Sequence, residues 1–147
     1  MQSWSADDAL VPRGTETVLL VEDEPLVREV ALHILQEQGY TVLEAENGVD
    51  ALRITHEYAG ATIALLITDV VMPQMGGKML VEQVTSVDPN IKVLFISGYA
   101  TDAIVQHGQL EPGTNFLSKP FTPAAFARKV REVLDAEAGS SPMKSMR

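Results

Sequence analysis

The 147-residue chain carries 20 Asp and Glu against 11 Lys and Arg, a net charge of −9, with an apolar fraction of 46%. That length fits one domain with short tails, and the acidic balance argues against direct nucleic-acid binding, which needs a basic face. The absence of cysteine excludes a disulfide framework, a thiolate zinc site and a cysteine nucleophile. No apolar run approaches the roughly 20 residues that cross a bilayer, and residues 1–9 are acidic where a signal peptide is basic. No membrane contact by this domain is expected, and the cytoplasm is its expected location.

Residues 1–16 lack periodicity and read as a flexible leader. Within them Leu10-Val-Pro-Arg-Gly14 resembles a thrombin cleavage site and reads equally as a tag remnant or as native linker. The run Thr17-Val-Leu-Leu-Val21 predicts a buried strand, followed by a helix over 25–38 that Pro25 opens and Gly39 stops. A second strand is expected over 41–45 and a second helix over 48–58, with Asn47 as its cap. A third strand over 63–68 leads into the loop Asp69-Val-Val-Met-Pro-Gln-Met-Gly-Gly77, where the paired glycines read as a turn.

A third helix over 78–87 ends at Asp88-Pro89-Asn90. A fourth strand over 91–96, a short helix over 102–107 and a fifth strand over 114–117 follow. The last helix, over 122–137, has Thr122 as cap and Pro123 at its first position, and residues 137–147 read as a flexible tail. Apolar strands alternating with helices call for a parallel sheet covered on both faces, a doubly wound α/β fold for residues 17–136. In such sheets the ligand site lies at the carboxyl ends of the strands.

At those ends stand Glu22-Asp23-Glu24, Asp69, Ser97 and Ser118-Lys119-Pro120. Taken singly, the acids after the first strand read as a solvated turn or a helix-start charge cluster, Asp69 as a capping residue, Lys119 as a surface lysine and Ser97 as a turn hydroxyl. Taken together, they form an oxygen-only acid cluster with one ammonium and one hydroxyl. Acids packed this way need protons or a metal to relieve them, and Mg²⁺ suits oxygen ligands. Metal, Lys and hydroxyl around an aspartate nucleophile are equipment for phosphoryl transfer. His33, His56 and His107 show no metal or triad spacing and are expected to be structural or surface residues.

Four segments carry a family resemblance: Val18-Leu-Leu-Val-Glu-Asp-Glu-Pro25, Ile67-Thr-Asp-Val-Val-Met-Pro-Gln-Met-Gly-Gly77, Phe95-Ile-Ser-Gly-Tyr99 and Phe116-Leu-Ser-Lys-Pro-Phe121. They resemble the receiver domain of two-component response regulators. The resemblance implies a flavodoxin-like (βα)5 fold, five parallel strands in the order 2-1-3-4-5. It implies that Asp69 accepts a phosphoryl group from a phosphohistidine of a sensor kinase or phosphotransfer domain. Asp23, Asp69 and the Val71 carbonyl would then hold Mg²⁺, with Glu22 supporting it through water. Lys119 and Ser97 would contact the phosphoryl oxygens, and Phe116 would change rotamer with Ser97. The fourth helix, fifth strand and fifth helix would form the switching face, and a homodimer is compatible with the resemblance.

Glu22 stands where Asp is common in the family, and Ser97 where Thr also occurs. The resemblance implies a domain that promotes its own aspartyl phosphorylation and dephosphorylation without turnover of a substrate. Val71 and Tyr99, two positions after Asp69 and Ser97, lack a group to orient an attacking water, so slow self-dephosphorylation is expected. The chain further resembles receivers of hybrid sensor histidine kinases, whose parent would be a kinase. A stand-alone regulator is the alternative, since 13 residues after Leu134 are too few for an output domain. An aspartate-nucleophile phosphatase would carry a D-x-D pair, which Asp69-Val-Val lacks. A flavodoxin-like binding module would need a phosphate loop where the acids after the first strand stand.

Overall fold

The structure, a computed structural model, describes residues 14–58, 62–72, 74–97 and 115–136. Its elements are β1 (Thr17–Val21), α1 (Pro25–Glu37), β2 (Thr41–Ala45), α2 (Gly48–Glu57), β3 (Leu65–Asp69), α3 (Gly77–Val87), β4 (Lys92–Ser97), β5 (Phe116–Ser118) and α4 (Pro123–Asp135). The helix expected over 102–107 lies outside the described residues, as do Tyr99, His107 and the tail from 137. All five strands are parallel, in the order β2-β1-β3-β4-β5. The expected fold and strand order are therefore observed.

Alternation along the strands divides the core into two layers. Val18 and Leu20 of β1, Leu65 and Ile67 of β3, and Leu94 and Ile96 of β4 face α1 and α4, against Ala31, Ile34, Leu35, Phe126 and Val130. Leu19, Val21 and Leu66 face the opposite way, onto Ala51 and Ile54 of α2 and Leu80 and Val84 of α3. A strand buried on both faces reads as a near-continuous apolar run, which accounts for Val18–Val21 of β1 and Leu65–Ile67 of β3. Each fully buried Leu or Ile contributes about 1.5–3 kcal/mol relative to exposure. The edge strand β2 is only partly covered and carries the exposed Thr41 and Glu44.

Local chemistry sets the helix ends. Asn47 accepts a hydrogen bond from the Asp50 N–H at 2.7 Å, and Thr122 from the Ala125 N–H at 3.0 Å, both as expected of caps. Gly39 follows α1 at φ 102°, a conformation that costs glycine little, and its missing Cβ makes room for the Gly14 carbonyl. Gly77 differs from expectation: it opens α3 instead of completing a turn, and its N–H donates to the Val70 carbonyl at 2.8 Å. β3 starts at Leu65, two residues later than expected, because its ladder with β1 begins at the Val18–Leu65 pair.

Residues 14–16, assigned to the leader from sequence, contact the domain. The Gly14 N–H donates to the Gln38 carbonyl at 2.9 Å, and the Thr41 N–H donates to the Glu16 carbonyl at 3.1 Å. The Lys92 ammonium donates to the carbonyls of Leu134 and Ala136, closing the end of α4 with a cation where the helix dipole favours one.

Candidate functional site

β1 and β3 are adjacent and in register, Val21 opposite Thr68, so the residues that follow each strand emerge side by side. β3 ends in Asp69, opposite Ile96 of β4, and Ser97 is the next residue along that strand. β5 delivers Ser118 opposite Ser97 and then Lys119, whose N–H donates to the Ser97 carbonyl at 2.8 Å. Order and register together bring four strand ends to one rim.

Lys119 is the centre of the cluster. Its Nζ donates to Asp69 Oδ2 at 2.8 Å, to Glu24 Oε1 at 2.8 Å and to Glu22 Oε2 at 3.4 Å. Burial disfavours the ammonium, but the bonds to Asp69 and Glu24 outweigh it and hold Lys119 above the ordinary lysine range. Glu22 is fully buried. Burial first, then the charge of Asp69, push its carboxyl up to about 7, against the opposing pull of the Glu24 N–H and Lys119. Its Oε2 also accepts the Glu24 N–H at 3.1 Å. Its Oε1 lies 3.2 Å from Lys119 Nζ, at an angle that makes no hydrogen bond, so among the described residues this buried oxygen has no hydrogen-bond partner.

Among the described residues, the acids whose oxygens come within 4.8 Å of one another are Glu22, Glu24 and Asp69. Asp23 is half-buried between them in sequence and is not in that group. The chain bends at Asp23 and Glu24, and the Glu24 N–H donation to Glu22 Oε2 closes that bend, bringing the two acids to one side. The family resemblance passed over Glu24, and a bend of this kind leaves no periodic signal in the sequence. Arg28 was also not singled out: its Nη1 donates to the Glu22 carbonyl at 2.7 Å and so braces the loop from α1.

Ser97 is buried at the β4 end. Phe116 is half-buried against Val70 and Phe95, and Val71 is exposed, its N–H 3.4 Å from Asp69 Oδ1. His33 and His56 are exposed on α1 and α2. An oxygen-only acid set in which the buried Glu22 Oε1 accepts no hydrogen bond among the described residues fits a hard divalent cation. Glu22 and Asp69 supply such oxygens, while Glu24 is engaged by Lys119 at the same rim.

The family profile of the response regulator receiver domain matches residues 18–131. The chain belongs to the response regulator receiver domain family of two-component signalling. It is 43% identical to the sensor kinase CckA of Brucella abortus over 84% of this chain, spanning 13% of that protein's length. The response regulator receiver protein CpdR of the same organism is 33% identical and is spanned over 97% of its length. Among solved structures, the receiver domain of the hybrid histidine kinase CckA superposes with a TM-score of 0.68 at 40% identity, covering 81% of this chain and 99% of that one. The chemotaxis regulator CheY4 of Vibrio cholerae gives 0.71 at 30%, covering 82% and 99%. The receiver therefore resembles that of a hybrid kinase, and no helix among the described residues is long and apolar enough to cross a membrane.

Proposed function

We propose that Asp69 takes a phosphoryl group from a phosphohistidine on a sensor kinase or phosphotransfer domain. The observation that carries this reading is the buried Asp69 carboxylate, bonded by Lys119 at a rim with Glu22 and Glu24. In the transfer, an Asp69 oxygen forms a bond to phosphorus as the phosphorus–nitrogen bond breaks. The electron pair leaves on the imidazole nitrogen, and a proton on the other ring nitrogen makes the leaving group a neutral imidazole. Lys119 balances the charge on the equatorial oxygens, and the Ser97 hydroxyl donates to one of them. Asp23, Asp69 and the Val71 carbonyl would hold Mg²⁺, with Glu22 in support, and the ion would supply further charge neutralisation.

Engagement of Ser97 draws Phe116 inward and shifts the population of the face built on β5 and α4, which changes what that face binds. The domain acts in the cytoplasm as the receiver part of a hybrid sensor histidine kinase, a reading supported by its 43% identity to CckA. A stand-alone regulator is the second reading, supported by the near-complete span of CpdR; the reading frame flanking the coding segment decides between them. Intact mass after incubation with acetyl phosphate and Mg²⁺ tests the chemistry. One phosphoryl adduct in the wild type and none in Asp69→Asn is the expected result; a wild type without adduct overturns it.

A further inference from the structure

An ammonium has three N–H donors, and in this structure three carboxylates surround the one on Lys119. A phosphoryl oxygen arriving on Asp69 can be bonded by Lys119 only if one of those contacts is given up. The three are not equivalent. Asp69 is the acceptor itself and remains in place as the acyl phosphate. Glu22 is fully buried, so a Glu22 carboxylate released from Lys119 would have no water to solvate it. Glu24 has a side chain 60% exposed, and water solvates it as soon as the contact opens.

Among the described residues, no other contact commits the Glu24 side chain. It stands at the N-cap of α1 and makes no capping hydrogen bond there, although the helix dipole accommodates an acid at that end. Resting on the reading of Asp69 as phosphoryl acceptor, we propose that Glu24 is a positioning residue. It holds Lys119 in the unphosphorylated site and is exchanged for the phosphoryl group, which sets how firmly that group is kept.

Wild type, Glu24→Gln and Glu24→Asp are compared for beryllofluoride affinity in the presence of Mg²⁺, for the rate of adduct loss after acetyl phosphate, and for affinity for Mg²⁺ alone. An exposed ion pair is weak, so Glu24→Gln should tighten beryllofluoride and slow adduct loss by about two- to five-fold. Affinity for Mg²⁺ alone should stay within about three-fold, as expected for a screened neighbouring charge. Glu24→Asp keeps the charge but is one methylene too short to reach Lys119, and should follow Gln. Wild-type behaviour of Glu24→Asp would trace the effect to the general field and overturn the exchange. So would unchanged beryllofluoride affinity in Glu24→Gln, or a parallel collapse of Mg²⁺ affinity and adduct formation. A wild type that binds no beryllofluoride and forms no adduct removes the reading of Asp69 itself.

Discussion

Lys119 Nζ and Asp69 Oδ2 stand 2.8 Å apart although 50 positions separate them in the chain. The ammonium is the cation that the clustered acids share, so Lys119→Met leaves Glu22, Glu24 and Asp69 facing one another. Loss of one partner from a largely buried ion cluster is expected to cost about 2–4 kcal/mol, read as a lower urea midpoint at neutral pH. Added Mg²⁺ should recover part of that loss, because a cation that binds only the folded site stabilises it. An unchanged midpoint would show that the acids do not depend on Lys119.

Gly77 opens α3 directly against Asp69, and a Cβ built there would collide with the Asp69 carbonyl. The obstacle is backbone, which cannot swing aside as a flexible side chain can. Gly77→Ala is expected to destabilise by about 1–3 kcal/mol and to lower acetyl phosphate labelling of Asp69, as the acceptor strand end is displaced. Gly76→Ala is the control, since its Cβ would meet only the Val70 carbonyl, at 3.3 Å.

Val71 is exposed beside Asp69 and offers no side-chain group to orient an attacking water. Val71→Asn should speed loss of the phosphoryl adduct several-fold, within the roughly 10²–10⁴ that positioned proton acceptors and donors supply. The measurement is the decay of the mass adduct after removal of acetyl phosphate. A wild-type half-life of seconds that Val71→Asn does not shorten would remove the role given to this position.

Glu16 is gripped by Arg131, with Nη1 3.1 Å from Oε1 and Nη2 2.7 Å from Oε2. That hydrogen-bonded guanidinium holds the Glu16 carboxyl down at about 2, against an ordinary value of 4.5. A depressed carboxyl stabilises the fold above its unfolded value, and the contribution is lost as pH falls from 4.5 toward 2. Glu16→Gln should therefore lower the urea midpoint near neutrality and converge on the wild type in strong acid. The carboxylate is a third exposed, so screening limits the difference to about 1 kcal/mol. A gap that persists in acid would exclude the ion pair as its cause.

The sequence by itself determined the layers and the strand ends. Runs such as Val18–Val21 have no polar position because they are buried on both faces, and Asn47 and Thr122 mark helix starts through side-chain oxygens only three residues from their donors. These are local effects, carried by spacing within one element. The convergence of Glu22, Asp69, Ser97 and Lys119 on one rim was legible once parallel strands were assumed, since each follows a strand.

Tertiary structure decided which of those groups meet. Glu24, not Asp23, reaches the ammonium, across 95 positions of chain, and that depends on how the β1–α1 loop is turned and braced by Arg28. Gly77 looked like a turn residue until the approach of the Asp69 carbonyl set its requirement. Arg131 and Glu16 lie 115 positions apart, with no periodicity to connect them. Periodicity and capping follow from neighbours a few residues away; the pairing of particular charges follows from the order in which the strands lie, which a linear pattern does not encode.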